Sequence, residues 1–112
     1  MGIAIKTRTK DDVDILDISG RIVNVDSDKL KTHLEDFIKK GHKKVIIDLS
    51  KVDFIDSFGL GAIVGHHTAL ENEGRELVIL NMNPDSNSYI RRLFEMTSLD
   101  TIFKIVDKEE DL

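Results

Sequence analysis

Ser57 stands in the run Asp53-Phe54-Ile55-Asp56-Ser57-Phe58-Gly59-Leu60-Gly61, a hydroxyl placed between a carboxylate and a glycine-spaced turn. A serine nucleophile of the esterase type needs a Gly-x-Ser-x-Gly elbow with histidine and acidic partners, and the residues before Ser57 are Ile55-Asp56. That elbow is missing. A phosphate-cradling loop needs a Gly-Lys-Ser/Thr ending, and no lysine follows Gly61. If a helix starts at Ser57, its unpaired N–H groups and the positive end of its dipole favour an anion at that point. The simpler alternative is that Ser57 or Asp56 only caps the helix. Spacing alone leaves both open.

The other reactive side chains form no catalytic constellation. His66 and His67 are neighbours, so on a helix they diverge by about 100° and cannot grip one ion from the same surface. His67 falls on the apolar stripe, where a core histidine is expected, and no metal site is expected. Asp53 and Asp56 suit loop caps better than an acid–base pair, because neither a nucleophile nor a pocket accompanies them. Lys39-Lys40 and Lys43-Lys44 read as a solvated helix end rather than a phosphate-binding patch. The chain has no cysteine, which excludes disulfides, thiolate metal sites and a cysteine nucleophile, and suits a reducing compartment such as the cytoplasm. Neither a catalytic function nor a cofactor is expected.

The elements that position Ser57 follow from hydrophobic periodicity. Ile3 and Ile5 alternate with smaller or polar residues, and Val13, Ile15, Leu16 and Ile18 form a second strand whose alternation slips between Ile15 and Leu16, predicting a bulge there. Leu30, Leu34, Phe37 and Ile38 recur at helical spacing, with Asp26 or Ser27 as N-cap candidates and Gly41 as the stop. Val45-Ile46-Ile47-Asp48-Leu49 reads as a buried strand. From Ser57 to about Glu73, Leu60, Ile63, Val64, His67 and Leu70 mark a second helix that Gly74 ends. Leu77-Val78-Ile79-Leu80 completes a βαβ unit, whose strands should be parallel neighbours or near neighbours. A third helix is predicted from about Pro84-Asp85-Ser86 to Met96, burying Ile90, Leu93 and Phe94. A last strand covers Ile102–Val106, and Asp107-Lys108-Glu109-Glu110-Asp111 is expected to fray as an acidic tail. Ser57 thus sits at the carboxyl end of a central strand, where α/β sheets gather their binding sites.

Composition bounds the partners. The 112 residues, 40% of them hydrophobic and only 5% aromatic, suffice for one small aliphatic α/β core. Sixteen Lys+Arg against 21 Asp+Glu give a formal charge of −5, so a sequence-independent grip on nucleic acid is not expected. Met1-Gly2-Ile3-Ala4-Ile5-Lys6 lacks an apolar region of signal-peptide length, and no apolar run is long enough to span a bilayer. An unexported protein away from membranes is expected.

Asp56-Ser57-Phe58-Gly59-Leu60-Gly61 resembles the Asp-Ser-(Ser/Thr/Ala)-Gly-Leu-Gly signature of STAS domains, specifically bacterial anti-sigma-factor antagonists. The resemblance continues through Ile46-Ile47-Asp48-Leu49-Ser50 and Phe54-Ile55, then Arg92-Leu93-Phe94, Thr97-Ser98-Leu99 and Ile102-Phe103, in order along nearly the whole chain. It implies a single STAS-like α/β domain over residues 1–112, with a mixed sheet of four to five strands packed with three or more α-helices and the acidic tail from about residue 107. It further implies that Ser57 is phosphorylated by an anti-sigma factor that is also a serine kinase. The unphosphorylated form binds that kinase and releases the sigma factor, and a PP2C-type phosphatase restores the serine. Asp56, Ser57, Phe58, Gly59, Gly61, Arg21, Val23 and Asn24 are the expected partner-binding residues.

Three positions depart from the family pattern. Gly20-Arg21-Ile22-Val23 stands where Gly-Glu-Ile/Leu-Asp is frequent, Phe58 replaces a small residue, and Ser98 replaces a common glycine at a helix end. A left-handed Ser98 would cost about 1 kcal/mol. Phe58 reads equally as an exposed anchor or as a side chain packed on the sheet. The rival role on the same fold is a non-switching scaffold or a partner subunit of a sensor or transporter complex.

Overall fold

A computed structural model describes residues 3–11, 13–23, 25–83, 85 and 88–112. The strands are β1 (Ala4–Lys10), β2 (Val13–Ile22), β3 (Lys44–Ile55), β4 (Glu76–Leu80) and β5 (Lys104–Val106). The helices are α1 (Val25–Lys40), α2 (Ser57–Asn72) and α3 (Tyr89–Met96). One five-stranded sheet runs β1-β2-β3-β4-β5 in spatial order, with β1 antiparallel to β2 and the other neighbours parallel.

The connections explain that order. Lys10 pairs with Val13, so only two residues join β1 to β2, and Asp11 accommodates its φ of 53° because a short polar side chain tolerates left-handed backbone. Each parallel step needs a crossover, supplied in turn by α1, α2 and α3. Right-handed crossovers that advance across a sheet in one direction leave every helix on the same face. Leu30, Leu34 and Phe37 of α1, Ile63 and Leu70 of α2, and Ile90 and Phe94 of α3 accordingly share one buried cluster with Leu16, Ile47 and Ile79 of the strands. Each such side chain contributes about 1.5–3 kcal/mol when fully buried. Both predicted helix stops hold, with Gly41 and Gly74 at φ +80° and +71°.

The opposite face has its own cluster of Ile15, Ile46, Val78 and Leu80, to which no helix contributes. This corrects the bulge predicted between Ile15 and Leu16. Both side chains are buried, Ile15 on the open face and Leu16 toward the helices, and the register passes them without a break. The shifts in the β2–β3 pairing fall instead between Asp17 and Ser19 and between Gly20 and Arg21.

The end of the chain also differs from expectation. The predicted strand over Ile102–Val106 keeps only Lys104–Val106, because Leu99–Thr101 forms a 3-10 turn led by Ser98 at φ 60°. Ser98 is therefore left-handed without glycine's freedom. The third helix starts at Tyr89 with Ser88 as its cap, and the predicted start at Pro84 and Ser86 lies outside the described residues. The acidic tail does not fray. It forms a 3-10 turn at Glu109–Asp111, with Glu109 2.8 Å from Arg8 and Leu112 packed against the open-face cluster. An ion pair 101 residues apart and one aliphatic contact place the segment against the sheet.

Candidate functional site

Ser57 is the first residue of α2 and is exposed. The cap is Asp56, whose extended backbone precedes the helix and whose Oδ1 accepts the N–H of Gly59 at 2.8 Å. The same oxygen accepts the Ser27 hydroxyl at 2.7 Å, and the Asp56 N–H donates to the Ile22 carbonyl at 2.9 Å. One residue therefore ties the end of β2, the first turn of α1 and the start of α2 together. Ser27, a cap candidate for α1 on sequence, lies buried inside the first turn of that helix, where it serves Asp56. With capping supplied by its neighbour, Ser57 presents its hydroxyl at the positive end of a 16-residue helix.

The remaining expected residues separate into outward and inward groups. Phe58 is 77% exposed, which settles it as a surface side chain. Gly61 is exposed, and a Cβ built there would meet nothing within 4 Å. Gly59 points inward instead, where a Cβ would come within 2.9 Å of Ile22 Cγ2 and 3.0 Å of Ile55 Cγ1. Its lack of a side chain is explained by packing inside the domain. Val23 is half-buried, and Asn24 lies outside the described residues.

Arg21 is exposed, with its guanidinium 4.7 Å from the centre of the Phe54 ring. Phe54 in turn stacks on Tyr89 at 5.5 Å, and the Tyr89 hydroxyl donates to the Ile55 carbonyl at 3.2 Å. This ladder of cation, ring and ring braces the residues leading into Asp56 and holds Arg21 in place at the same edge of the sheet. Sequence reasoning named Phe54 but missed its pairing with Tyr89, because the two lie 35 positions apart along the chain.

A groove of about 540 Å³ runs from Phe58 between α1 and α2, lined by Lys31, Gly61, Ala62, Gly65 and His66 among others. Along it, Gly61, Gly65 and Ala69 expose a strip of small residues at four-residue spacing. His67 faces the other way, buried against the Phe103 ring at 4.6 Å, as the apolar stripe predicts. Among the described residues no group of three or more His, Cys, Asp or Glu could hold a metal ion. No helix among them is long and apolar enough to cross a membrane.

A carboxylate pair that the sequence did not disclose lies on the open face, where the β2–β3 register sets Asp17 beside Asp48. Burial pushes the Asp48 carboxyl above its ordinary value, and Asp17 alongside adds to this against the hydrogen bonds from Ser50. Burial would raise Asp17 as well, but hydrogen bonds from Arg8 and Asp48 bring it below its ordinary value. This pair belongs to a different surface from Ser57.

The family model for the STAS domain matches residues 4–112. This chain is a STAS domain. It is 34% identical over 112 residues to the anti-sigma-B factor antagonist of Listeria monocytogenes, covering 100% of this chain and 94% of that protein. Among solved structures, an anti-sigma factor antagonist from Mycobacterium paratuberculosis superposes with a TM-score of 0.83 at 24% identity, covering 97% of this chain and 89% of that one. The phosphorylated form of SpoIIAA, a cell fate determinant of Bacillus, gives a TM-score of 0.72 at 19% identity, covering 96% of this chain and 95% of its own. At these identities the two structures attest the fold. In this STAS domain the signature segment occupies the β3–α2 junction with Asp56 as its anchor.

Proposed function

We propose that this STAS domain is a phosphorylation-controlled anti-sigma-factor antagonist acting in the cytoplasm by binding rather than by catalysis. In the unphosphorylated form it binds an anti-sigma factor that is also a serine kinase, and so releases the sigma factor. Phosphorylation of Ser57 blocks that binding, and a PP2C-type phosphatase reverses it. The observation that carries this reading is the division of labour at the helix start. Asp56 does all the capping, so the exposed Ser57 hydroxyl can be modified without dismantling the helix.

Asp56, Phe58 and Gly61 with Arg21 form the partner surface in this proposal, while Gly59 keeps α2 close to β2 and β3. Phosphoserine adds a charge of about −1.5 to −2 at neutral pH. In solution that charge stays hydrated, whereas at a closed interface it would lose its water, and burying an uncompensated charge costs several kcal/mol. The test is intact mass and partner binding after incubation with the cognate kinase and ATP. One phosphoryl group, lost in Ser57→Ala and accompanied by release of the kinase, is the expected result. Wild-type protein that binds the kinase and remains unmodified would favour the non-switching scaffold.

A further inference from the structure

Parallel sheets are ordinarily covered on both faces, and here the helices cover one. On the other, the register sets Arg8, Ile15, Ile46, Val78 and Lys104 in a single row across all five strands. The next row is Lys6, Asp17, Asp48, Leu80 and Val106. The first row is apolar between two cations, Arg8 and Lys104, while the second sets the Asp17 and Asp48 carboxylates between Lys6 and the aliphatic Leu80 and Val106. Ile15, Ile46, Val78 and Leu80 are nevertheless buried.

What accompanies them is the segment after β5. Asp107, Glu109, Glu110 and Asp111 make it acidic, and Leu112 provides its one aliphatic side chain. Glu109 reaches Arg8 on the far edge strand at 2.8 Å, and Leu112 joins the open-face cluster with Val13 and Val106. The fit is loose. Cavities of about 350 and 390 Å³ border the segment on this face, the first at Glu109 and Leu112, the second at Glu109 again. The Arg8–Glu109 pair is 45% exposed on both sides, so it contributes little in water. Arg8 also holds Asp17 through two contacts of 2.7 and 3.1 Å, so it stays in place if Glu109 leaves.

We propose that the open face of the sheet is a second docking surface, for an acidic segment of a partner protein that carries an aliphatic anchor, and that residues 107–112 occupy it as a displaceable cover. The chemistry of the occupant is that of the segment already seated there: a carboxylate on Arg8 and one aliphatic side chain against the apolar cluster. The surface is separate from the Ser57 site, so its failure leaves the proposed switch untouched.

The probe is a peptide with the sequence of residues 107–112, titrated into the full chain and followed by methyl NMR. A cover in cis competes with it, so the full-length variant E109Q/L112A should bind it at least tenfold more tightly than wild type. Shifts should concentrate at Ile15, Ile46, Val78 and Leu80. Replacing the peptide's leucine by alanine should remove the binding, and Arg8→Ala in the protein should weaken it only a few-fold. Equal affinities in wild type and variant, or shifts elsewhere, would overturn the proposal. Dimerisation of the opened variant would also overturn it, by making a second copy the occupant. Hydrogen exchange on the wild type supplies an independent reading should that variant not fold. The amides of 109–112 should exchange at least a hundredfold faster than those of β3, and equal protection would exclude a displaceable cover.

Discussion

Gly59 and Gly61 lie two residues apart in the first turn of α2, one against Ile22 and Ile55 and the other facing open space. The division continues along the helix. On the inner side Ile63, His67 and Leu70 are buried, and on the outer side Ser57, Phe58, Gly61, Gly65 and Ala69 are exposed. Gly59 has its size set by Ile22 and Ile55, and His67 packs on the Phe103 ring. No such neighbour explains an exposed phenylalanine, or two exposed glycines that each lower helix propensity by about 1 kcal/mol relative to alanine. In the proposed function this outer side is the face the partner meets, with Ser57 as its leading residue.

The comparison is most easily broken with two phenylalanines. Phe94 is 1% exposed and Phe58 is 77% exposed. Phe94→Ala should lower unfolding stability by about 3–5 kcal/mol in urea titration, the usual cost of truncating a buried aromatic. Phe58→Ala should change stability by no more than about 0.5 kcal/mol, as surface substitutions do. The same variant should weaken kinase binding by about 1 kcal/mol or more in calorimetry, as an aromatic anchor would. A large stability loss for Phe58→Ala would erase the distinction between the two sides.

Phosphorylation of Ser57 comes next in size. Within the free domain the helix dipole favours the added charge by about 0.3–1 kcal/mol, while Asp53 and Asp56 oppose it, so the melting temperature should hardly move. At the interface even about 3 kcal/mol of desolvation lowers affinity more than a hundredfold. Paired thermal unfolding and binding measurements on the two forms check this. A phosphorylated form that melts far lower would place the effect inside the fold instead of at the interface.

The inner side was legible in the sequence because it is periodic. The spacing of Leu30, Leu34 and Phe37, the buried His67 and the stops at Gly41 and Gly74 all lie within one element and its ends. The site was legible as a position, Ser57 at a helix start, and less so as a structure. The Ser27–Asp56 bond spans 29 residues and the Phe54–Tyr89 stack spans 35, distances that no local pattern encodes. Gly59 looked like a partner contact because its constraint comes from Ile22, on a strand brought beside it only by the parallel pairing of β2 and β3. The false bulge at Ile15 has the same origin. Period-two reasoning assumes one wet face, and this strand is apolar on both.

Asp56→Ala should have a smaller effect, a loss of about 0.5–2 kcal/mol typical of a removed cap, read in thermal unfolding. Because the same oxygen also accepts Ser27, the loss should fall in the upper part of that range. Asp56→Asn keeps an acceptor oxygen and should recover most of it. Equal losses for the two variants would mean that charge, and not the shared acceptor, holds the junction together.

The smallest effects give the sharpest contrast, since one added methyl group should act with opposite sign at two neighbouring positions. Alanine in place of glycine favours a helix by about 1 kcal/mol in either case. At Gly61 nothing opposes that gain, so Gly61→Ala should unfold at higher urea with the slope unchanged. At Gly59 the new Cβ must displace Ile22 Cγ2 from 2.9 Å and Ile55 Cγ1 from 3.0 Å. Both atoms are bonded directly to the branched Cβ of a packed core isoleucine and have little room to turn. Overpacking of this kind costs about 1–3 kcal/mol, which cancels or exceeds the helical gain. Binding should reverse the order of merit. Gly61→Ala, the more stable variant, should bind the kinase more weakly because its methyl group stands where the partner approaches, while Gly59→Ala, wherever it remains folded, keeps an unaltered outer surface. A Gly61→Ala variant that gains stability and binds at full strength would show that the bare turn of α2 is not a contact surface, and would leave Phe58 and Arg21 to carry the interface.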